Sequence, residues 1–109
     1  MATARKNLGQ AALSSTTLTD VYTVPSATSA VVSSISVANR GNTATTYRLS
    51  HALAGAADAT KQYFAYDEAI AANSSITRTF GICCAATDVI RAYAGNANLS
   101  VNLWGEETS

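Results

Sequence analysis

Apolar and polar positions alternate with a period of two along most of the chain. Val31, Ser33, Ile35 and Val37 fall in one register, and Val32, Ser34, Ser36 and Ala38 in the other. On the next run Tyr47, Leu49, His51 and Leu53 share a register opposite Thr46, Arg48 and Ser50. Alternation of this kind, rich in β-branched residues, predicts half-buried strands. The intervening Asn39-Arg40-Gly41-Asn42 carries turn chemistry, with Gly41 free to take a positive φ, and predicts that residues 32–53 form a hairpin. "DVYTV" at 20–24 is a short strand stopped by Pro25, and "AGAADAT" at 54–60 is a loop.

Farther along, Phe64 and Tyr66 alternate with Tyr63 and Ala65, and Ile76, Arg78, Phe80 and Ile82 alternate with Thr77, Thr79 and Gly81. "TDVIRAYAG" and "NLSVNLWGE" complete the series, the latter with Leu99, Val101 and Leu103 on one side. Helical spacing is weak; the Ala-rich patches at 52–59 and 69–72 are the main ambiguity. About seven to eight short strands, with turns roughly every 10–15 residues, predict an all-β fold. The expected architecture is a single antiparallel β-sandwich over residues 19–109, Ig-like or jelly-roll-like. Residues 1 to about 18 lack strict alternation and are expected to form an N-terminal arm. Leu8, Leu13 and Leu18 give that arm spaced apolar anchors, which predicts ordering mainly against another subunit or a particle.

Composition sharpens this picture. A chain of 109 residues is about one domain. Only 13% of its residues are charged, about half the usual share, so Ser, Thr, Asn and Ala must cover the surface. Seven basic and seven acidic residues cancel, leaving no electrostatic footprint for nucleic acid or anionic lipid. No apolar run approaches the roughly 20 residues of a membrane helix. Arg5-Lys6 is followed by no apolar signal core, so the expectation is a protein made and folded in a cytosol.

Candidate chemistry is sparse. His51 is the only histidine, in register with two leucines and without an evident carboxylate to orient it. It reads as a sheet-rim residue with local hydrogen bonds and no catalytic role. Cys83 and Cys84 are adjacent, so one thiol is expected to be buried and no structural disulfide to form; a metal site would need more ligands than lie nearby in sequence. Asp67 and Glu68 should point to opposite faces, which argues against a shared acid–base site. Arg48, Arg78 and Arg91 sit mid-strand and are candidates for a charge ladder with Asp67, Glu68 or Asp88, or for salt bridges between subunits. Tyr22, Tyr47, Tyr63, Tyr66, Tyr93 and Trp104 are candidates for contact with a glycan but are read chiefly as packing residues, and no clustered aromatic platform for nucleic-acid bases is evident. No phosphate-binding glycine loop is present, and the expectation is a non-enzyme without a cofactor.

Several stretches carry a resemblance: "NLGQ" at 7–10, "TTLTDVYTVPSAT" at 16–28, "VVSSISVANR" at 31–40, "AGAADATKQYFAYD" at 54–67, "FGICCAATDVIRAYAG" at 80–95 and "LSVNLWGEE" at 99–107. In their order the chain resembles small structural virion proteins of tailed bacteriophages. The resemblance implies a β-sandwich displayed on a particle, as a capsid decoration (cement) protein or a neck, tail or baseplate component. Partners would be the major capsid or other virion proteins, with a homo-oligomer, a trimer among the candidates. The location implied is the virion, after synthesis in the host bacterial cytoplasm. It transfers no catalytic residue. Inter-subunit or particle contacts are expected at Leu8, Leu13, Leu18, Arg48, Arg78 and Arg91. A surface that binds a host glycan or receptor is the alternative.

Overall fold

A computed structural model describes residues 2–109. Eight strands form in it: β1 (Thr3–Ala12), β2 (Thr19–Thr23), β3 (Ser29–Asn39), β4 (Thr45–Ala52), β5 (Tyr63–Ile70), β6 (Ser75–Cys84), β7 (Val89–Ala94) and β8 (Leu99–Thr108). They make two four-stranded sheets, ordered β1-β8-β3-β6 and β2-β7-β4-β5. Strands β1 and β8, β2 and β7, β3 and β6, and β4 and β5 are antiparallel partners. These nested pairs amount to one long antiparallel ribbon whose tip is the β4–β5 connection. Rolled up and cross-linked by the β3–β8 and β4–β7 pairs, the ribbon is a jelly roll. The expected all-β sandwich is therefore what forms, and strand order selects the jelly-roll alternative over the Ig-like one. The Ala-rich ambiguity at 52–59 contains one short 3₁₀ turn, Leu53–Gly55, and a second follows at Thr60–Gln62. Among the described residues no helix is long and apolar enough to cross a membrane.

The expected hairpin over residues 32–53 does not form. Strands β3 and β4 lie in different sheets, and residues 40–44 arch across the sandwich. Buried Asn39 holds that arch: its side-chain amide donates to the carbonyls of Thr43 (2.9 Å) and Ala71 (3.2 Å), and its Oδ1 accepts from the Gly41 N–H. Both strands keep an apolar face, but the faces meet across the core instead of lying side by side. Period-two alternation says which face is buried; it does not say which strand is the neighbour.

The register expected along β3 is also corrected. Val32, Ile35 and Val37 are all buried while Val31 is exposed. A bulge around Ser33, where pairing shifts between Val32 and Ser34, turns the strand over and lets two residues, Ser33 and Ser34, separate the inward positions Val32 and Ile35.

The third difference concerns residues 1–18, of which Met1 lies outside the described residues. In place of an arm, Thr3–Ala12 is edge strand β1, paired with β8 along its length. Leu13 is in the core, its N–H bonded to the Leu99 carbonyl at 2.9 Å, and the Thr16 N–H reaches Ala94 of the other sheet. The segment thus passes from one sheet to the other. Gly9 lets β1 and β2 approach closely: a Cβ there would lie 2.4 Å from the Val21 carbonyl oxygen. β1 escapes the alternation pattern because it is an edge strand, with most of its residues exposed.

Candidate functional site

Three regions carry the polar chemistry of the molecule: the outer face of each sheet, and one end of the sandwich where the β6–β7 turn crosses between them.

At that end, His51 closes β4 on its inward face, paired with Ile90 and in line with Leu49 and Tyr47. Asp88 begins the return into β7 and is buried. His51 Nε2 lies 2.9 Å from Asp88 Oδ2. The same carboxylate accepts the N–H of Ala54 on Oδ1 (2.9 Å) and the N–H of Ala85 on Oδ2 (3.0 Å). Burial opposes the charge on Asp88, but the Ala54 N–H, His51 and the Ala85 N–H outweigh it and hold the carboxyl below its ordinary range. Asp88 therefore fastens two backbone segments, the turn after β4 and the turn after β6, to one another. Cys84 completes the group; its sulfur, a His51 nitrogen and an Asp88 oxygen all lie within 4.8 Å of one another. Burial, then the nearby Asp88 charge, pushes the Cys84 thiol up to about 11, so it is a protonated, unreactive thiol at neutral pH. Beside His51 a cavity of about 280 Å³ is lined by Leu53, Ala56, Lys61 and Gln62.

Two sequence expectations are corrected by this cluster. His51 is not without an orienting carboxylate, and the cysteines are not without further ligand types nearby. The signal was invisible because the residues stand at 51, 84 and 88 on three strand ends that only the roll brings together. The bond to Asp88 spans 37 residues of sequence, so it is a tertiary contact in place of the local bond expected for His51. Cys83 and Cys84 are both free thiols, the first exposed and the second buried.

The outer face of the β2-β7-β4-β5 sheet is built from arginine and tyrosine. The Arg48 guanidinium carbon sits 4.2 Å from the centroid of the Tyr66 ring and 4.4 Å from that of Tyr93. Arg48 Nε also donates to Asp67 at 2.7 Å, and Tyr63 packs edge-on against Tyr66 at 5.1 Å. Arg48 and Tyr93 are direct cross-strand partners, which sequence spacing conceals, and the rings are taken up by Arg48 and by one another. Arg91 bonds Asp20 at 2.9 Å and the Ala56 carbonyl at 2.8 Å, clamping the loop after β4. Arg78 pairs with Glu68, which also accepts from the Tyr47 hydroxyl at 2.9 Å. All three mid-strand arginines thus have carboxylate partners within the chain. Asp67 and Glu68 serve different partners, as their adjacency predicts, so no shared carboxylate site forms.

The outer face of the β1-β8-β3-β6 sheet is different in kind. Opposed residues in a sheet share a face, so the registers define rows across it. One row is Thr77, Ser36, Asn102 and Gln10; the next is Thr79, Ser34, Trp104 and Asn7; a third is Ser75, Ala38, Ser100 and Ala12. None of these twelve side chains carries a charge. Asn102 Oδ1 accepts from Gln10 (2.8 Å) and Asn7 (3.3 Å), and Trp104 stands 40% exposed among them. A charged pair, Arg5–Glu106 at 3.0 Å, flanks the rows.

Of the expected contact residues, Leu13 is fully committed to the core, and Leu8 packs against the core partly buried. Leu18 is half-buried between β1 and β2. The small polar face was not among the expected contacts; the Ser/Thr registers of residues 34–38 and 75–79 are the signal that points to it. Compared with known proteins, the chain matches no family model and no curated sequence.

Proposed function

We propose that the protein is a non-enzymatic structural component of a tailed-bacteriophage particle, a capsid decoration (cement) subunit that docks through the outer face of the β1-β8-β3-β6 sheet. The observation that carries this reading is that face: three adjacent rows of small, uncharged side chains around a half-exposed tryptophan. Desolvating such a surface costs no buried charge, and short side chains lose little rotamer entropy on packing. Tryptophan is the residue type most enriched at interface hot spots. The resemblance of the chain to phage virion proteins points the same way, and jelly rolls serve as viral capsid and lectin domains. Repetition on a symmetric particle would sum many weak contacts, so that each one need not be strong. Neck, tail or baseplate placement would use the same face.

Mass spectrometry and electron cryo-microscopy of particles from the phage that encodes the chain test this. The expected result is stoichiometric protein on the capsid exterior, with the Trp104 face against the shell. Absence of the protein from purified particles overturns the proposal. One observation favours a second reading, recognition of a neutral host glycan: Trp104 stands beside Asn7 and Asn102, the pairing of an apolar ring with amides that sugar binding uses. Glycan-array binding lost in Trp104→Ala would support it.

A further inference from the structure

We propose that His51, Cys84 and Asp88 form a three-ligand site for a divalent transition metal, zinc by its donor chemistry, with a fourth position open to the cavity beside His51. The inference is independent of the particle role. One thiolate, one imidazole and one carboxylate make a mixed, borderline-soft donor set that suits zinc; calcium and magnesium require an all-oxygen shell. The three residues come from the ends of β4 and β6 and the start of β7, so an ion would tie the two sheets together at this end.

The geometry is close to what coordination requires. Zinc–ligand bonds of about 2.0–2.3 Å at tetrahedral angles set donor atoms roughly 3.4–3.6 Å apart. Here the three donors lie within 4.8 Å of one another, and His51 Nε2 and Asp88 Oδ2 are 2.9 Å apart. An ion entering between these two atoms opens their contact by about half an ångström and draws the Cys84 sulfur in. Asp88 keeps its other bonds, from the Ala54 and Ala85 N–H groups, and these fix the carboxylate as outer-shell partners do in zinc sites. The proton balance is simple. Cys84 loses its thiol proton to solvent, His51 binds as neutral imidazole with its proton on the other ring nitrogen, and Asp88 is already ionised.

Access comes from the cavity of about 280 Å³, which His51 lines together with Leu53, Ala56, Lys61 and Gln62. A water there would complete a tetrahedron, the arrangement that distinguishes an open zinc site from a closed one. Exposed Cys83 points to the opposite face, in the row of Val31 and Glu106, and cannot contribute.

Titration of the full, reduced chain with Co²⁺ is the test, because a cobalt–thiolate bond gives a near-ultraviolet charge-transfer band. The expected result is a 1:1 complex with that band, displaced by Zn²⁺, retained in Cys83→Ser and lost in Cys84→Ala. His51→Gln should weaken Co²⁺ binding at least tenfold, and Zn²⁺ should raise the melting midpoint of the natural chain. Absence of the band from the natural chain overturns the proposal, as does its survival in Cys84→Ala or its loss in Cys83→Ser. Should Cys84→Ala fail to fold, Cys83→Ser and His51→Gln decide: a band unchanged in His51→Gln also overturns it.

Discussion

The two outer faces of this jelly roll solve the exposure of a sheet in opposite ways. On the β2-β7-β4-β5 sheet, arginine and tyrosine interlock: Arg48 lies between two rings and holds Asp67, and Arg91 holds Asp20 and a loop carbonyl. That face is occupied by its own interactions. On the β1-β8-β3-β6 sheet the central rows are Ser, Thr, Asn, Gln and Ala, with few side-chain bonds among them and a tryptophan left half-exposed. The lesson is that charge and aromatic content do not by themselves mark an interface. The richer face is self-satisfied and contributes to stability, whereas the plainer face leaves its surface free for a neighbour.

The largest perturbation removes the edge of the plainer face. A chain beginning at Ser14 loses β1 and Leu13 and exposes the long edge of β8. Leu13 alone is worth about 2–5 kcal/mol on truncation, and a domain of this size has only about 5–15 kcal/mol in total. Loss of the cooperative thermal transition in circular dichroism is expected; a melt as sharp and as high as that of the full chain would mean that β1 is dispensable.

Next in size is a pair of charges placed in the small-residue rows. Ser36→Glu with Thr77→Glu puts two like charges on direct cross-strand partners. Particle binding or self-association should fall more than about tenfold, by like-charge repulsion and desolvation, while the stability cost stays near 1 kcal/mol. Arg48→Ala should do the converse, lowering the melting midpoint by a few degrees and leaving association unchanged. Sedimentation velocity and calorimetry on both variants separate the faces, and a result in which Arg48→Ala abolishes association would invert the comparison.

The end that joins the sheets sets the acid limb of stability. The Asp88 carboxyl is held below its ordinary range in the folded chain by the Ala54 and Ala85 N–H groups and His51. A depressed carboxyl contributes stability that is fully present above the unfolded value and is lost as pH falls through the folded one. Urea midpoints should therefore drop below about pH 4, and Asp88→Asn should remove part of that dependence at a cost of about 1–3 kcal/mol near neutrality. Glu107 is also held low, by the Tyr22 hydroxyl and Lys6, so some acid dependence should remain in the variant. An acid limb unchanged in Asp88→Asn would show that the carboxylate is not the fastening.

The smallest effect lies under the Arg91 clamp. Ser50 is completely buried on β4 and its hydroxyl has no hydrogen-bond partner among the described residues. Ser50→Ala should be neutral or stabilising by up to about 1 kcal/mol, since a buried unpaired hydroxyl costs free energy. A clear loss of stability by chemical denaturation would reveal a hydrogen bond to an ordered water.

Sequence alone determined strands β2 to β8, the inward sets Leu99-Val101-Leu103 and Tyr47-Leu49-His51, the free thiols and the separation of Asp67 from Glu68. Each follows from a period of two or from adjacency, which are local properties of an extended chain. Tertiary structure decided everything that depends on which strands become neighbours. The arch held by Asn39 sent β3 and β4 to different sheets. The bulge at Ser33 placed Val31 outside, and the pairing with β8 made a strand of residues 3–12. The Arg48–Tyr66–Tyr93 stack and the His51–Cys84–Asp88 cluster exist only because the ribbon rolls up. Alternation constrains faces but carries no information about partners, and partners are chosen by contacts made across most of the chain length.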